Sequence, residues 1–471
     1  MPASPGFKKG VNSGSFILVF VCFLITSTIS FYLHIPGKEP VFNNFGLAYS
    51  DIVSGVFNPI FKDIVTPYGD IDSKALSERW YDSDTASKLL RSNICPVPYK
   101  DYRFEYPPIV ALLWYISTCI AIKVALPTSY TSIQYYSLVD SVANVHYYVQ
   151  SAFIITFLVV LTIYMYRIAL TLGISWKRVV MFLFLPSTVL YLVYNWDIIA
   201  AAFAIVSLYY LMHKKYLASG IALGLSISTK VIPAVFAFII VYDMIQKVLR
   251  DKSFGNNLKL FGLGLVIGLL PYIGAVSVSY TGFLNSMAQH AHWYCENCVY
   301  NILTGDPFNP YNRAIALVLI LVAVLVLMVI DVDYENGHQQ LHLLTAALIV
   351  ATALNYVFSP QMMIMVTAAA VLALNRKQIL FLSLADISNF GIMALFFKDS
   401  EIRAWLNAKL GLRLSTEFSP WTPGSPVQML AIIRNVILIL ILIDIVYRLA
   451  RTGISSFNAL EDNLGNPKIA V

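Results

Sequence analysis

The stretch "YKDYRFEYPPIVALLWYISTCIAI" (residues 99–122) joins a charged segment directly to an apolar run. Its first half crowds four charged side chains into six residues: Lys100, Asp101, Arg103 and Glu105. Two prolines follow, and proline suits the first turn of a helix because the N–H it lacks has no partner there. The apolar residues beyond them approach the roughly 20 that a helix needs to cross a bilayer. The stretch therefore predicts a point where a polar segment enters a membrane.

The rest of the chain repeats this apolar character. Of its 471 residues, 58% are hydrophobic and 12% are charged, whereas soluble proteins carry about 25% charged residues. Apolar spans are predicted near residues 15–34, 109–126, 147–169, 179–194, 197–212, 217–243, 259–279, 314–331, 340–357, 361–375, 378–397 and 428–447. The runs are continuous rather than alternating, which argues against a transmembrane β-barrel. We therefore predict an all-α, polytopic integral membrane protein.

The net charge of +6 comes from short basic clusters between the apolar runs. They include Lys8-Lys9, Lys177-Arg178, Lys214-Lys215, Arg376-Lys377 and Arg448 with Arg451. Loops rich in Lys and Arg stay on the cytosolic side of a membrane, so this distribution indicates orientation and predicts no nucleic-acid partner. The first apolar run has no small-residue cleavage site behind it, which favours a retained helix over a signal peptide.

Placing every basic cluster inside determines the predicted topology. It gives one transmembrane domain over residues 1–450 and a cytosolic tail over residues 451–471. It also requires the 217–243 span to break at Lys230–Pro233, and interrupted helices in membrane proteins usually line a site. Residues 109–146 must then cross twice or re-enter, which gives about 12 to 14 crossings of roughly 20 residues each.

This topology gathers the unusual polar elements on the outer side. The outer loops are residues 35–107, 280–313 and 398–427, together with the turns at Asn195–Asp197 and Ser359–Gln361. A transporter is expected to place charges at mid-membrane and to show two related halves. Polar chemistry at one surface instead favours an enzyme of the cell membrane that acts on a lipid-anchored substrate at the extracytoplasmic face.

The five cysteines do not predict a disulfide framework. Cys295 and Cys298 enclose the motif C-E-N-C, and His290 and His292 precede it. A metal site would need a fuller ligand set, so a polar loop with two thiols or a local disulfide is favoured. No cluster of acids with metal-ligand spacing is evident, and we expect neither a metal ion nor another cofactor.

Asp51 is the first candidate for catalysis. It lies in "LAYSDIVSGVF", soon after the first predicted helix and among apolar neighbours. An isolated acid in apolar surroundings has a raised pKa and can act as a general base. The alternative is a structural role as a helix N-cap, for which Asp is common.

The charged half of the opening stretch offers contacts to a phosphate. Arg103 can pair with phosphate in a bidentate manner, and Lys100 can bind it as a point charge. The alternative is a solvated run in which these charges pair with Asp101 and Glu105.

Lys230 lies between two apolar halves of the 217–243 span. An unpaired ammonium there is costly, so an anionic partner such as a lipid phosphate is predicted; the alternative is a lysine that snorkels to the interface. Asp197 either pairs with Lys230 or caps a helix. His292 and Gln361 are further polar groups at the outer helix ends, as is His290.

Taken in order, these motifs resemble a known family. An acid after the first helix is followed by "PYKDYRFEYPP", "YNWDIIAAAF", "GIALGLSISTKVIP" and "VFSPQ". The same order is seen in bacterial and archaeal polyprenol-phosphate-mannose-dependent mannosyltransferases of the GT-C superfamily. This group includes the phosphatidylinositol-mannoside mannosyltransferases. The resemblance covers residues 45–365 and rests mainly on the "FEYPP" and "TKVIP" elements.

The resemblance implies a GT-C-type multi-helix fold with an extracytoplasmic active site. It implies an inverting hexosyltransferase that takes mannose from a polyprenyl (dolichyl) phosphate carrier to a glycolipid or glycan acceptor, among membrane lipids. Asp51 matches the general base, Lys230 matches the lysine near the donor phosphate, and Glu105 matches the acid of the "EYPP" element. An insert over residues 69–95 departs from the family. It makes the first outer loop long and polar, with Asp63, Asp70, Asp72, Asp82 and Asp84 as rival bases.

Two other functions stay open at this point. A transporter or flippase of lipid-linked sugars would use the same one-sided charges as a port for the head group. It would need a polar path across the membrane, for which Asp140, Asn144 and His146 are the candidates. A structural subunit of a membrane complex would not need Lys230 inside an interrupted helix.

Overall fold

The computed structural model describes residues 13–37, 45–68 and 70–465 and is built from helices. In chain order these are α1 (Ser13–Leu33), a π-helix (Asp51–Lys62), α2 (Ser73–Glu78), α3 (Asp84–Arg91), α4 (Pro108–Ala125), α5 (Ser132–Thr171), α6 (Lys177–Phe184), α7 (Pro186–Tyr191), α8 (Asp197–Met212) and α9 (Tyr216–Thr229). They continue with α10 (Ala234–Arg250), α11 (Gly255–Val278), α12 (Tyr280–His292), α13 (Asn301–Thr304), α14 (Tyr311–Val329), α15 (Gly337–Ala353), α16 (Met363–Ala373), α17 (Arg376–Phe396), α18 (Asp399–Leu410) and α19 (Pro426–Gly465).

Seven of the described helices are long and apolar enough to cross a membrane. They are α1, α4, α5, α11, α14, α17 and α19. Three shorter apolar helices, α8, α9 and α16, lie among them. The prediction of an all-α, polytopic membrane protein is therefore confirmed, whereas the number of crossings stays a prediction.

The bundle has two chemically different ends. At one end, which we call the basic end, Lys214 contacts Glu335 and Arg250 pairs with Asp331 at 2.8 Å. Arg178, Arg376 and Arg448 line one cavity beside His338, three residues beyond Glu335. Of the predicted basic clusters, Lys8-Lys9 lies outside the described residues. At the opposite end, which we call the site end, the side chains of Asp51, Asn195, Asp197, Lys230 and Gln361 meet.

The predicted break at Lys230–Pro233 is confirmed. Helix α9 ends at Thr229 and α10 begins at Ala234, because a proline cannot continue the hydrogen-bond ladder of the helix before it. Lys230 lies at the site end, while Lys247 near the end of α10 donates to the Val332 carbonyl at the basic end. The two halves therefore run the length of the bundle in opposite directions.

Residues 109–146 fold into a hairpin of α4 and the first part of α5, and the prediction that they cross twice or re-enter stays a prediction. The turn after α4 returns to the first polar segment, where Asn93 donates to the Pro127 carbonyl at 3.0 Å and Tyr130 donates to the Arg91 carbonyl at 2.7 Å. Helix α5 then begins at Ser132. A capping box at Thr131 starts this helix.

Close backbone contact between α9 and α11 sets the direction of α9 toward the site. Gly220 and Gly224 on α9 face Gly264 and Gly268 on α11, and a Cβ atom on any of the four would lie within 2.6 Å of a backbone atom. Paired glycines four residues apart let membrane helices approach closely. Lys230 follows α9 directly, so this packing determines where its ammonium lies.

Two largely buried helices, α8 and α16, start at the site end. All but the last residue of α16 are buried, and so is most of α8. Helix α8 begins with Asp197, and α16 follows the 3₁₀ turn at Pro360–Met362. The polar site therefore lies where two largely buried helices begin.

Candidate active site

Asp51 opens the π-helix, and three distant side chains converge on one of its oxygens. Oδ2 accepts hydrogen bonds from Asn195 Nδ2 at 2.6 Å, Gln361 Nε2 at 3.2 Å and the Tyr106 hydroxyl at 3.5 Å. Among the described residues, no group donates a hydrogen bond to Oδ1. One oxygen of the carboxylate is therefore anchored, and the other is open to a ligand.

The N-cap of the π-helix is Ser50. Its hydroxyl accepts a hydrogen bond from the Val53 backbone N–H at 3.4 Å. Its carbonyl accepts from the Gly55 N–H at 3.1 Å, the five-residue spacing of a π-helix. The interpretation of Asp51 as a helix cap is therefore wrong. Its carboxylate is free for another role.

The surroundings of Asp51 favour its neutral form. Burial raises the pKa of Asp51 to about 7. The Asn195 hydrogen bond and the positive charge of Lys230 oppose this rise in pKa, whereas the negative charges of Glu296 and Asp197 add to it. A base is most effective when its pKa lies near the working pH. At neutral pH this carboxylate can take up a proton and release it again.

Glu105 is the second acid at the site end. Its Oε1 accepts a hydrogen bond from the Tyr81 hydroxyl at 3.3 Å, and the same hydroxyl lies 3.1 Å from the Gly55 carbonyl. Burial, followed by the negative charge of Asp51, raises the pKa of Glu105 to about 7. Tyr81 belongs to the insert, so a part of the chain outside the family resemblance reaches the site.

Lys230 forms an ion pair with Asp197, one of the two arrangements left open by the sequence. Lys230 Nζ lies 3.0 Å from Asp197 Oδ1, and the two side chains are only 16% and 1% exposed. An ammonium can donate three hydrogen bonds, so this pair leaves Lys230 with capacity for a ligand. Asp197 Oδ2 accepts no hydrogen bond from the described residues.

Glu296, the acid inside the C-E-N-C motif, is a site residue that the sequence analysis missed. Its Oε2 accepts a hydrogen bond from Trp293 Nε1 at 2.8 Å. Burial raises the pKa of Glu296, and the charge of Lys230 lowers it. The backbone of Glu296 exchanges hydrogen bonds with the strand-like segment beside Val357. An acid enclosed by two cysteines was the only sequence signal for it.

The loops that carry Glu296 and Gln361 are tied together by Arg434. This fully buried guanidinium donates to the Phe358 carbonyl at 2.9 Å and to the Asn297 carbonyl at 3.2 Å. It also donates to Asn389 Oδ1 at 2.6 Å. Arg434 thus fixes the distance between the two loops without touching the open side of the site.

Three predicted substrate-binding residues stay outside this cluster. Lys100 is exposed. Arg103 lies 3.8 Å from Asp82 and donates to the Trp80 carbonyl. His292 is exposed and bonds only its own helix through the Ala288 carbonyl. Their binding roles stay predictions. For Arg103, the alternative was a charge pair within the polar segment, with Asp101 or Glu105. The structure shows such a pair, but the partner is Asp82.

The rival acids of the first polar segment are engaged elsewhere. Asp63 pairs with Arg79 at 3.2 Å and Asp84 pairs with Lys88 at 2.6 Å. Asp72 is the N-cap of α2. Asp82 contacts Arg103, and Asp70 is exposed. Asp51 and Glu105 are therefore the acids of this segment that reach the buried site.

Four of the five cysteines form two disulfides, which corrects the expectation of no disulfide framework. Cys95 pairs with Cys119, and Cys295 pairs with Cys298, as the local-disulfide alternative proposed. Cysteines in a disulfide bond are not metal ligands. Within the described ranges, no three His, Cys, Asp or Glu side chains are arranged to hold a metal ion, and the expectation that none is needed stays a prediction.

Fold and site together define a multi-pass helical membrane protein with an acid-rich polar site at one end of its bundle. No protein-family model matches the chain, and no curated protein matches it significantly. The resemblance carried by its motifs therefore stays a prediction, and function has to be argued from the geometry.

Two of the three residues suggested for a transport path, Asp140 and His146, contact neighbouring side chains. Asp140 pairs with Lys62 of the π-helix at 2.6 Å. His146 is buried between the rings of Trp114 and Phe57 and contacts Thr118 at 3.2 Å. His146 Nε2 has no hydrogen-bond partner among the described residues, and the transporter alternative stays a prediction.

Proposed function

We propose that this protein is an inverting glycosyltransferase. It moves a hexose, mannose by the motif resemblance, from a polyprenyl phosphate to a hydroxyl group of a glycolipid or glycan acceptor. The observation that carries the proposal is the carboxylate of Asp51, with Oδ2 held by three donors and Oδ1 open, next to the Lys230–Asp197 pair.

In the proposed reaction, Asp51 Oδ1 accepts the proton of the acceptor hydroxyl. The hydroxyl oxygen bonds to the anomeric carbon on the face opposite the phosphate. The bond from that carbon to the phosphate oxygen breaks with its electron pair, and polyprenyl phosphate leaves. One base is sufficient because phosphate is a good leaving group without protonation. A single displacement of this kind inverts the anomeric configuration.

Binding of the donor phosphate is supported by a cation and by helix ends. Lys230 is the cation shared by Asp51, Glu105 and Glu296, since its charge lowers the pKa of all three. The π-helix, α8, α10 and α16 begin at or beside this cluster. Helix N-termini carry partial positive charge and favour an anion.

An extracytoplasmic location is supported by two independent features. Disulfides persist mainly in oxidising compartments, and Cys95–Cys119 and Cys295–Cys298 both join segments near the site end. The opposite end carries the basic clusters, which stay cytosolic. Both features favour a site on the outer or lumenal face of the membrane.

The test is transfer of label by purified protein. Polyprenyl phosphate carrying radiolabelled α- or β-mannose is incubated with membrane lipid extract, and the configuration of the product is determined. We expect a labelled glycolipid or glycan of opposite anomeric configuration. A transporter would instead move intact donor across vesicles without breaking the mannosyl–phosphate bond, and that result would refute the proposal.

A further inference from the structure

A polar cavity lies at the basic end, the end of the bundle opposite the candidate active site. It has a volume of about 460 Å³, within the range of about 300–1,000 Å³ typical of ligand pockets. Its polar lining comes from four parts of the bundle and comprises Ser175, Arg178, His338, His342, Asn375, Arg376, Gln378 and Arg448.

The arginines of this cavity outnumber the acids that could neutralise them. Arg448 pairs with Asp444 at 2.8 Å. Arg178 donates to the Val371 carbonyl at 3.4 Å, and no carboxylate of the described residues lies within ion-pair distance of it or of Arg376. Three guanidinium groups against one carboxylate leave two positive charges around the cavity.

The uncompensated charges are held close to one another. Burial, followed by the positive charge of Arg376, lowers the pKa of the Arg178 guanidinium. Like charges that converge on a partly enclosed space raise the free energy of the fold unless a counter-ion enters. His342 adds a donor or acceptor, because its Nδ1 already bonds the His338 carbonyl at 2.6 Å and leaves Nε2 for a ligand.

We propose that this cavity binds a phosphoryl group, and that the group belongs to an anionic phospholipid or to soluble phosphate. Guanidinium groups bind phosphate oxygens in a bidentate manner, which suits a site with two unpaired arginines. Leu372 and Leu374 supply apolar surface to the same cavity. Arg376 begins α17, one of the candidate membrane spans, so lipid head groups lie at the level of the cavity.

The test is binding measured by native mass spectrometry of the detergent-purified full chain. The ligands are phosphatidylglycerol, zwitterionic phosphatidylcholine and inorganic phosphate. The cavity variant is Arg178→Gln with Arg376→Gln. The matched control, Lys214→Gln with Arg250→Gln, removes two charges from the same end outside the cavity. We expect the cavity variant to bind phosphatidylglycerol about tenfold or more weakly, because two charge-assisted contacts are lost, and the control to bind it like the wild type.

The outcomes separate the two sources. Loss of phosphatidylglycerol binding with no competition from phosphate supports a lipid head group, and competition by phosphate supports the soluble ion. The proposal is overturned if wild type and cavity variant bind phosphatidylglycerol equally and also bind phosphate equally. It is also overturned if the control variant loses as much binding as the cavity variant. If the glutamine variant does not fold, the variant Arg178→Lys with Arg376→Lys takes its place and keeps both charges. Lysine cannot bind phosphate in a bidentate manner, so this variant should bind phosphatidylglycerol more weakly than the wild type. Unchanged binding would overturn the proposal.

Discussion

Asp51 shows how one carboxylate can be held and left reactive at once. Asn195, Gln361 and Tyr106 hold a single oxygen, and they come from parts of the chain far apart in sequence. The motifs "NWD" and "SPQ" therefore supply, through Asn195 and Gln361, the donors that orient the proposed base. Asp197 and Gln361 were the predicted site residues of these motifs, and Asn195 was not predicted to have a role.

The pH dependence of the reaction tests the Asn195 contact. The proposed mechanism requires ionised Asp51, so kcat/KM, which reports the free enzyme, should fall as pH drops below about 7. The amide of Asn195 stabilises the carboxylate, so its loss raises the pKa of Asp51 further. We expect Asn195→Ala to move the acid limb of the kcat/KM–pH profile to higher pH. Asn93→Ala, an exposed residue that bonds the Pro127 carbonyl, should leave the limb in place. A limb that stays or moves to lower pH in Asn195→Ala would contradict this role.

A substitution at Gly55 tests whether the acceptor approaches Asp51 from the side of Oδ1. A Cβ atom on Gly55 would lie 3.1 Å from Asp51 Oδ1 and 2.9 Å from the Tyr49 hydroxyl. The added methyl group of Gly55→Ala would occupy the open side of the carboxylate. We expect kcat/KM for the acceptor to fall by roughly tenfold to a hundredfold, the cost of a misplacement near 1 Å, with an unchanged KM for the donor.

Gly274→Ala is the matched control for this change, because a Cβ atom there meets nothing within 4 Å. Kinetics with each substrate varied in turn distinguish the two variants. Wild-type acceptor kinetics in Gly55→Ala would mean that the acceptor does not approach Oδ1 from this side.

Among the helices, the end of α9 could be predicted from neighbouring residues. The hairpin of α4 and α5 depends on contacts between residues far apart in the sequence. The end of α9 was predictable because Pro233 follows within four residues. The hairpin of α4 and α5 was not, because it depends on contacts such as Asn93 with Pro127. The π-helix was also missed, since its hydrogen-bond spacing leaves no periodic apolar pattern distinct from that of an α-helix.

The contact between α9 and α11 gives a prediction about stability. A Cβ atom on Gly224 would lie 2.6 Å from the Leu265 carbonyl oxygen, so Gly224→Ala forces the helices apart. We expect a loss of about 1–3 kcal/mol, typical of overpacking, seen as a lower Tm in detergent.

Gly262→Ala on α11 is the control, because a Cβ atom there meets nothing within 4 Å. Alanine is favoured over glycine in a helix interior by about 1 kcal/mol, so this variant should not lose stability. Equal Tm values for the Gly224→Ala and Gly262→Ala variants would show that the close approach of α9 and α11 does not limit stability.

For the whole molecule, the class of fold followed from composition, whereas the site did not. Continuous apolar runs and few charges predict a helical membrane protein, however its helices are arranged. Which polar residues meet depends on the arrangement itself. Asp51, Asp197, Lys230 and Gln361 were predicted and do meet, while Tyr81 and Glu296 joined them only through tertiary contacts.

The orientation of the molecule can be tested by thiol labelling in intact cells. Cys22 is buried and the other cysteines are paired, so the natural chain has no exposed free thiol. Lys74→Cys places a thiol on α2, where the lysine side chain is 84% exposed. Glu335→Cys places one at the basic end, where the glutamate is 71% exposed. An impermeant reagent should label the first variant and not the second. The reverse pattern would place the candidate active site in the cytosol.

The central claim is that Asp51 is the general base of glycosyl transfer. The most direct measurement compares kcat for wild type, Asp51→Asn and Asp70→Asn with a polyprenyl-phosphate-mannose donor. Asparagine keeps the size of the side chain but cannot take the proton, so kcat should fall 10²–10⁴-fold, the usual contribution of a general base, while donor binding persists. Asp70 is an exposed acid of the same segment, and its variant should turn over like the wild type. Near-wild-type turnover in Asp51→Asn would contradict the claim.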